Sequence, residues 1–113
     1  MTLIIATPFL FPNAKSVYPR YSEVMNKDQF LQLLRQDGFP DPVEVYQIPD
    51  GRLDEHEHPF EVRALILEGS IEIVIDGMSQ AYNIGDVFCL DFKQVHAESY
   101  GPHGVKYLAS RKQ

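Results

Sequence analysis

The chain has 113 residues, of which 44% are hydrophobic and 23% charged, and a formal net charge of −6. This size and composition predict one globular domain, and the acidic balance argues against a phosphate-binding nucleic-acid surface. No apolar run approaches the roughly 20 residues of a membrane span. Cys89 is the lone cysteine and there is no basic leader, so we expect a cytoplasmic protein without an internal disulfide.

Residues 1–25 predict an arm. Its prolines, at positions 8, 12 and 19, interrupt regular structure. Its apolar residues are too many for a free tail: Phe9, Leu10, Phe11, Tyr18 and Tyr21. We therefore expect the arm to pack on the domain or on a partner subunit, and we predict a homodimer.

One helix is predicted near residues 27–37. Asn26 is its N-cap, and Gln29 stands where a capping box needs it. Apolar residues recur at spacings of three and four, and Gly38 follows as a stop signal. We expect the helix to cover a face or an end of a sheet.

From residue 43 onward the pattern changes to about seven short strands with period-two alternation. We assign them to residues 43–48, 62–67, 70–75, 78–82, 87–92, 95–100 and 105–109. Asp76-Gly77 favours a type I′ hairpin turn. The fold class is therefore all-β, an antiparallel barrel or sandwich over residues 41–113, with the arm and helix (1–40) in the same domain.

Three of the four histidines suggest a metal site. His56 and His58 are two residues apart, so in an extended chain both side chains leave the same face. His96 follows two hairpins later, on a strand that can lie beside the first. Three imidazoles would then converge on one transition ion. The alternative is that His56 and His58 form an exposed polar strand end. His103, within Gly-Pro-His-Gly, predicts an ordinary surface loop.

Residues from about 43 to 108 resemble a small single-domain cupin. The first cupin motif matches Gly51, the His56-Glu57-His58 pair and Gly69, although the first spacer is one residue short. The second motif begins at Gly85 and places its histidine at His96. This sequence departs from the second motif at its proline, glycine and asparagine positions, which hold Asp91, Lys93 and Tyr100.

The resemblance implies a jelly-roll barrel, or double-stranded β-helix, in which His56, His58 and His96 bind one divalent ion: iron, zinc, nickel or manganese. The glutamate of the cupin motif falls on Val62. Glu61, one residue earlier, is the candidate fourth ligand, but strand alternation turns it to the opposite face unless a bulge near Pro59 intervenes. Glu61 is otherwise an outward partner of Arg63.

The same alternation predicts which side chains line the barrel. Val62, Ala64 and Ile66 share the parity of the histidine pair and should point inward. Leu65 and Leu67 should point outward. Exposed leucines would be costly, so we expect this outer face to be covered by the helix, by the arm or by a second subunit.

Three functions are compatible with these features. The first is a metal-dependent enzyme of dioxygenase or isomerase type, acting on a small molecule in the barrel, with Tyr46, Tyr82 and Tyr100 as candidate proton donors. The second is a non-catalytic module that binds or senses a small ligand. The third is a barrel whose metal is structural. The sequence does not separate them, because the lining of the barrel depends on strand register.

Overall fold

The computed structural model describes residues 24–113. This range contains one helix, α1 (Lys27–Gln36), followed by six strands. The strands are β1 (Val43–Gln47), β2 (Arg52–His56), β3 (Glu61–Ile75), β4 (Met78–Tyr82), β5 (Val87–Leu90) and β6 (His96–Lys112). All strand pairs are antiparallel, which confirms the predicted fold class. The predicted arm lies outside the described residues except for its last two, and the homodimer stays a prediction.

Two long strands organise the barrel. β3 and β6 pair along nearly their whole lengths, from Glu61 opposite Lys112 to Val74 opposite Ala97. β1 and β5 flank one half of this central pair, while β2 and β4 flank the other half. Inward side chains from both halves form one apolar core, so the two halves close over each other as a jelly roll.

The prediction of about seven short strands was wrong in two respects: two pairs of them are continuous, and β2 was not among them. The predicted break at Gly69 is an irregularity inside β3, and Gly101-Pro102-His103-Gly104 is an irregularity inside β6. Gly69 has φ +75°, and a Cβ there would overlap the carbonyl oxygen of Gly104. The glycines therefore let the paired strands bend without separating.

Two local signals behave as the sequence predicts. The Asn26 side chain accepts a hydrogen bond from the Gln29 amide at 2.9 Å, and the Gln29 side chain accepts one from the Asn26 amide at 2.9 Å. Asp76 and Gly77 have φ of 51° and 76°, the two positive values of a type I′ turn. Both features need only neighbouring residues.

Helix α1 covers the outer face of β3. Phe30 and Leu34 are buried against Leu65, Val87 and Leu108, and Leu67 packs against the same cluster. This confirms that Leu65 and Leu67 point away from the barrel interior, and it identifies the helix as their cover. Across residues 24–113, no helix has the length and apolar character that a membrane span needs.

Residues at both ends of this helix form hydrogen bonds with the barrel, one with β6 and one with the turn between β4 and β5. Lys112 Nζ donates to the carbonyl oxygen of Asp37 at 2.8 Å, just beyond the C-terminus of α1. The Met25 amide donates to the carbonyl oxygen of Gly85 at 2.8 Å, just before its N-terminus. The helix is therefore fixed at both ends.

Candidate metal centre

A β-bulge in β2 turns His56 towards the barrel interior. Leu53 lies opposite Glu98 on β6, whereas His56 lies opposite His96, so β2 contains one extra residue between the two pairs. Directly opposed residues on antiparallel strands point to the same face. Leu53 and His56, three residues apart, can therefore both face the cavity, which a regular strand would not allow.

His58 keeps the parity of His56 through the irregular segment that follows β2. His58, Phe60 and Val62 all line the same cavity. The His58 ring stacks on Phe60, with 5.1 Å between ring centroids and 12° between planes. The Lys93 amide donates to the carbonyl oxygen of His58 at 2.8 Å. Lys93, which stands at the glycine position of the second cupin motif, has φ +58°, a value that glycine adopts easily.

The three predicted histidines come together. The ring centroids of His56 and His96 are 4.2 Å apart, those of His56 and His58 are 5.0 Å apart, and those of His58 and His96 are 5.3 Å apart. One nitrogen from each ring lies within 4.8 Å of the other two. His96 is 1% exposed, whereas the other two are half-buried.

Backbone carbonyls orient two of the rings. His56 Nδ1 lies 2.7 Å from the carbonyl oxygen of Asp54, and His96 Nδ1 lies 2.9 Å from that of Gln94. A carbonyl oxygen can only accept, so Nδ1 carries the hydrogen in each ring. In the neutral form Nε2 then keeps its lone pair, as in metal-binding histidines. His96 Nε2 is buried without a hydrogen-bond partner among the described residues, so this donor set fits a metal ion.

Glu98 also lies beside two of the three histidines, although it was not among the residues predicted from the sequence. Its Oε2 lies 3.4 Å from His96 Nε2 and 3.6 Å from His56 Nε2, and its side chain is 9% exposed. Its Oε1 accepts a hydrogen bond from Tyr100 Oη at 2.8 Å. The signal was present: Glu98 follows His96 by two residues, the spacing that puts His56 and His58 on one face.

Glu61 lies away from the cluster. Its Oε1 is 3.7 Å from Arg63 Nη1, the outward pairing named as its alternative role. Arg63 is 5% exposed and its guanidinium lies 4.6 Å from the centroid of the Phe39 ring, on the helix side of the sheet. Val62 occupies the cavity side. No bulge follows Pro59 that would turn Glu61 inward.

The charges of the cluster are coupled. Burial, together with the neighbouring His96 and His56, lowers the pKa of His58. Burial also acts against the charged form of His96, but the Glu98 carboxylate and the Gln94 carbonyl outweigh it and raise the pKa of His96. For Glu98, burial is outweighed by His96 and Tyr100, so its pKa is lowered and it is held as a carboxylate.

A cavity of about 160 Å³ adjoins the cluster. Its apolar lining is formed by Val45, Leu53, Phe60, Val62, Phe88 and Ala109. Gln47, Tyr107 and Arg111 add polar groups, and the Arg111 guanidinium lies 5.0 Å from the centroid of the Phe60 ring. No ion pair involves Arg111 among residues 24–113. The cavity thus has an apolar body and a cation at its edge.

The remaining candidates occupy different environments. Tyr46 is 58% exposed. Tyr82 is buried in the core, where burial, Cys89 and Asp86 raise its pKa to about 12. Tyr100 donates a hydrogen bond to Glu98. It is therefore the one of these three tyrosines that contacts the carboxylate beside the histidines. His103 is exposed, as predicted for a surface loop, although it lies in the irregular part of β6.

The solved structures that are similar to this chain agree on its fold. No protein-family model and no curated protein sequence matches this chain. An RmlC-like cupin from Shewanella frigidimarina is 18% identical with a TM-score of 0.56, and the match covers 63% of each chain. A cupin superfamily protein from Desulfitobacterium hafniense is 22% identical with a TM-score of 0.55, covering 61% of this chain and 62% of that one.

A third solved structure, the DMSP lyase DddQ from Ruegeria pomeroyi, is 22% identical with a TM-score of 0.57. That match covers 62% of this chain and 36% of the lyase. The matched region thus spans less than two thirds of each of these three proteins. At such identities the similarity concerns the fold, and the fold is the same in all three. The chain therefore has the cupin fold.

Proposed function

We propose that this protein binds one divalent transition ion through His56, His58 and His96 and acts as a metal-dependent enzyme on a small anionic molecule in the adjoining cavity. The observation that carries the proposal is the convergence of the three imidazoles. Two of them are oriented by backbone carbonyls so that Nε2 is free, and one Nε2 is buried without a hydrogen-bond partner in the described chain.

The donor set restricts the choice of ion. Imidazole nitrogens suit iron, zinc and nickel, while a nearby carboxylate also makes manganese acceptable. When bound, such an ion supplies Lewis-acid or redox chemistry. The cavity beside the histidines gives a small molecule access to that position. A purely structural site would instead be closed on all sides by protein ligands.

The cavity favours a small anion with an apolar part. Its volume of about 160 Å³ lies below the roughly 300 Å³ at which drug-sized sites begin. Arg111 brings a positive charge to a lining that also contains Gln47, Tyr107 and the Glu98 carboxylate, and it has no ion pair within residues 24–113. Its guanidinium presents donors in a planar fork that matches a carboxylate. A small carboxylate could therefore contact Arg111 with one end and the metal position with the other.

An enzymatic role is also supported by analogy of fold, since one similar structure is by name a lyase. Dioxygenase and isomerase reactions are the classes we propose for this chain. In either class its own residues would have separate tasks. Arg111 would orient the substrate, the apolar wall would exclude water, and the Tyr100–Glu98 hydrogen bond would fix the carboxylate beside the histidines.

Metal analysis tests the proposal. Purified protein would be refolded separately with iron, zinc, nickel or manganese, desalted and measured for metal per chain. We expect about one ion per chain in the wild type and almost none in His96→Ala, because His96 is the most deeply buried of the three ligands. His103→Ala is the matched control, and it should keep its metal because His103 is exposed and outside the cluster.

Two outcomes would contradict the proposal. If the wild type keeps none of the four metals, the histidines do not form a metal site, and a non-catalytic ligand-binding module becomes the better explanation. If metal is retained but the manganese form does not accelerate the relaxation of bulk-water protons, the ion has no exchangeable position. The metal would then be structural.

A further inference from the structure

We infer that Glu98 is the carboxylate ligand of this metal site, in place of the glutamate that the cupin motif has at position 62. The inference rests on the proposed metal function and deepens it. It assigns a fourth ligand from β6, from the same strand as His96, whereas neither Val62 nor Glu61 can serve. Val62 has no donor atom, and Glu61 pairs with Arg63 on the other face of β3.

The distances around Glu98 suit a shared ion better than a hydrogen bond. Oε2 lies 3.4 Å from His96 Nε2 and 3.6 Å from His56 Nε2. A charge-assisted hydrogen bond would bring these atoms to about 2.7 to 2.9 Å. Two atoms that each bind one ion at about 2.1 Å with a tetrahedral angle are about 3.4 Å apart. Both nitrogens stand at such a separation from the same oxygen.

The hydrogen bonds of Glu98 leave that oxygen available. Tyr100 Oη donates to Oε1 at 2.8 Å, which fixes the carboxylate plane and leaves Oε2 directed at the histidines. Hydrogen-bonded carboxylates of this kind are usual among metal ligands. The side chain is also largely buried, so water does not offer a competing partner for most of its surface.

The bulge in β2 places the histidines around this carboxylate. Leu53 is opposite Glu98, and one extra residue later His56 is opposite His96. Without that residue His56 would point away, and Glu98 would have His96 as its one imidazole neighbour on the paired strands. The extra residue therefore brings both nitrogens to the same oxygen.

The test uses Co²⁺, whose visible absorption responds to the number and type of its ligands. Glu98→Gln keeps the size of the side chain but removes its charge, and Glu61→Gln makes the same change on the other face. We expect Glu98→Gln to lower Co²⁺ affinity by at least about 10- to 100-fold and to alter the absorption spectrum. Glu61→Gln should match the wild type in both respects.

Glu98→Asp provides a second variant that keeps the charge and shortens the reach. We expect its Co²⁺ affinity to fall between the wild type and Glu98→Gln, and circular dichroism of the metal-free proteins checks that each variant folds. If the wild type binds Co²⁺ and Glu98→Gln has the same spectrum, Glu98 is not a ligand, even where affinity falls. If the wild type binds no Co²⁺, the proposed metal function itself fails.

Discussion

The two faces of β3 differ in what covers them. On one face Val62 lines the cavity beside the histidines, and Ala64 and Ile66 continue into the barrel core. On the other face Arg63 lies against Phe39, and Leu65 is buried under α1. The faces alternate residue by residue, so a shift of one position changes a cavity wall into a helix-packing surface.

The alternation of faces explains the different placement of two carboxylates. Glu61 is one residue from the motif position and lies on the helix side, paired with Arg63. Glu98 is distant from that position in sequence, but its parity on β6 matches that of His96, and it reaches two histidines. For a side chain to reach the cluster, the face of its strand matters more than its distance along the chain.

The largest effect on stability should come from the helix-covered face. Leu65 is 1% exposed, and Leu65→Ala leaves a void between β3 and α1. We expect the free energy of unfolding to fall by about 2 to 5 kcal/mol, as for other buried leucines. Metal content should not change, because the cluster lies on the opposite face. Urea unfolding of the metal-free protein, with separate metal analysis, measures both.

Leu53→Ala is the matched control, since it makes the same chemical change at a cavity-lining leucine that is 46% exposed. Its unfolding free energy should change by less than about 1 kcal/mol. A Leu53→Ala loss as large as that of Leu65→Ala would contradict the conclusion that the cluster under the helix contributes more to stability than the cavity lining.

The features that could be predicted from the sequence are those that local contacts determine. The Asn26–Gln29 capping box and the Asp76-Gly77 turn depend on residues a few positions apart. The orientation of Val62 and Leu65 followed from alternation alone. The convergence of the three histidines needed one further assumption, that a hairpin return brings His96 alongside His56, and the strand pairing confirms it.

The features that could not be predicted from the sequence depend on the register between segments that are distant along the chain. The bulge between Leu53 and His56 exists only relative to β6, and no local signal in β2 indicates it. The continuity of β3 through Gly69 likewise depends on a partner that bends with it. Glu98 is different, since its spacing from His96 was visible in the sequence. What was missing was a reason to prefer it over the motif position.

A smaller effect on stability is expected when a carboxylate is introduced at position 62, where the cupin motif has its glutamate. In the Glu98→Gln background, Val62→Glu places a carboxylate on the cavity lining that also includes His58. We expect this double variant to regain most of the Co²⁺ binding that Glu98→Gln loses. The metal-free protein should lose about 1 to 3 kcal/mol of stability, because the new carboxyl is buried without a designed partner. Co²⁺ titration and urea unfolding measure the two effects.

Native Glu61 is the internal control for this rescue, since it stands one residue from position 62 in both the single and the double variant. Glu61 is present in Glu98→Gln, and we expect that it does not replace the carboxylate of Glu98, so the Co²⁺ affinity of that variant should stay low. If Val62→Glu restores no binding in a protein that still folds, a carboxylate at position 62 does not reach the histidines. The cavity-side assignment of that position would then be wrong.

The smallest effect should come from the carboxylate on the helix side. The Glu61 side chain is 36% exposed and its oxygen lies 3.7 Å from Arg63 Nη1, so water screens much of the attraction. Arg63 also keeps its contact with the Phe39 ring. We therefore expect Glu61→Gln to lower the free energy of unfolding by no more than about 1 kcal/mol, and to leave the Co²⁺ affinity unchanged.

A double-mutant cycle isolates this pair. Glu61→Gln, Arg63→Met and their combination, each unfolded in urea without metal, give the coupling energy between positions 61 and 63. We expect a coupling within about 1 kcal/mol, because one partner reaches solvent. Arg63→Met alone should cost more than Glu61→Gln, since it also removes the guanidinium from the Phe39 ring. If Glu61→Gln instead weakens Co²⁺ binding, Glu61 contributes to the metal site, and the separation of the two faces does not hold.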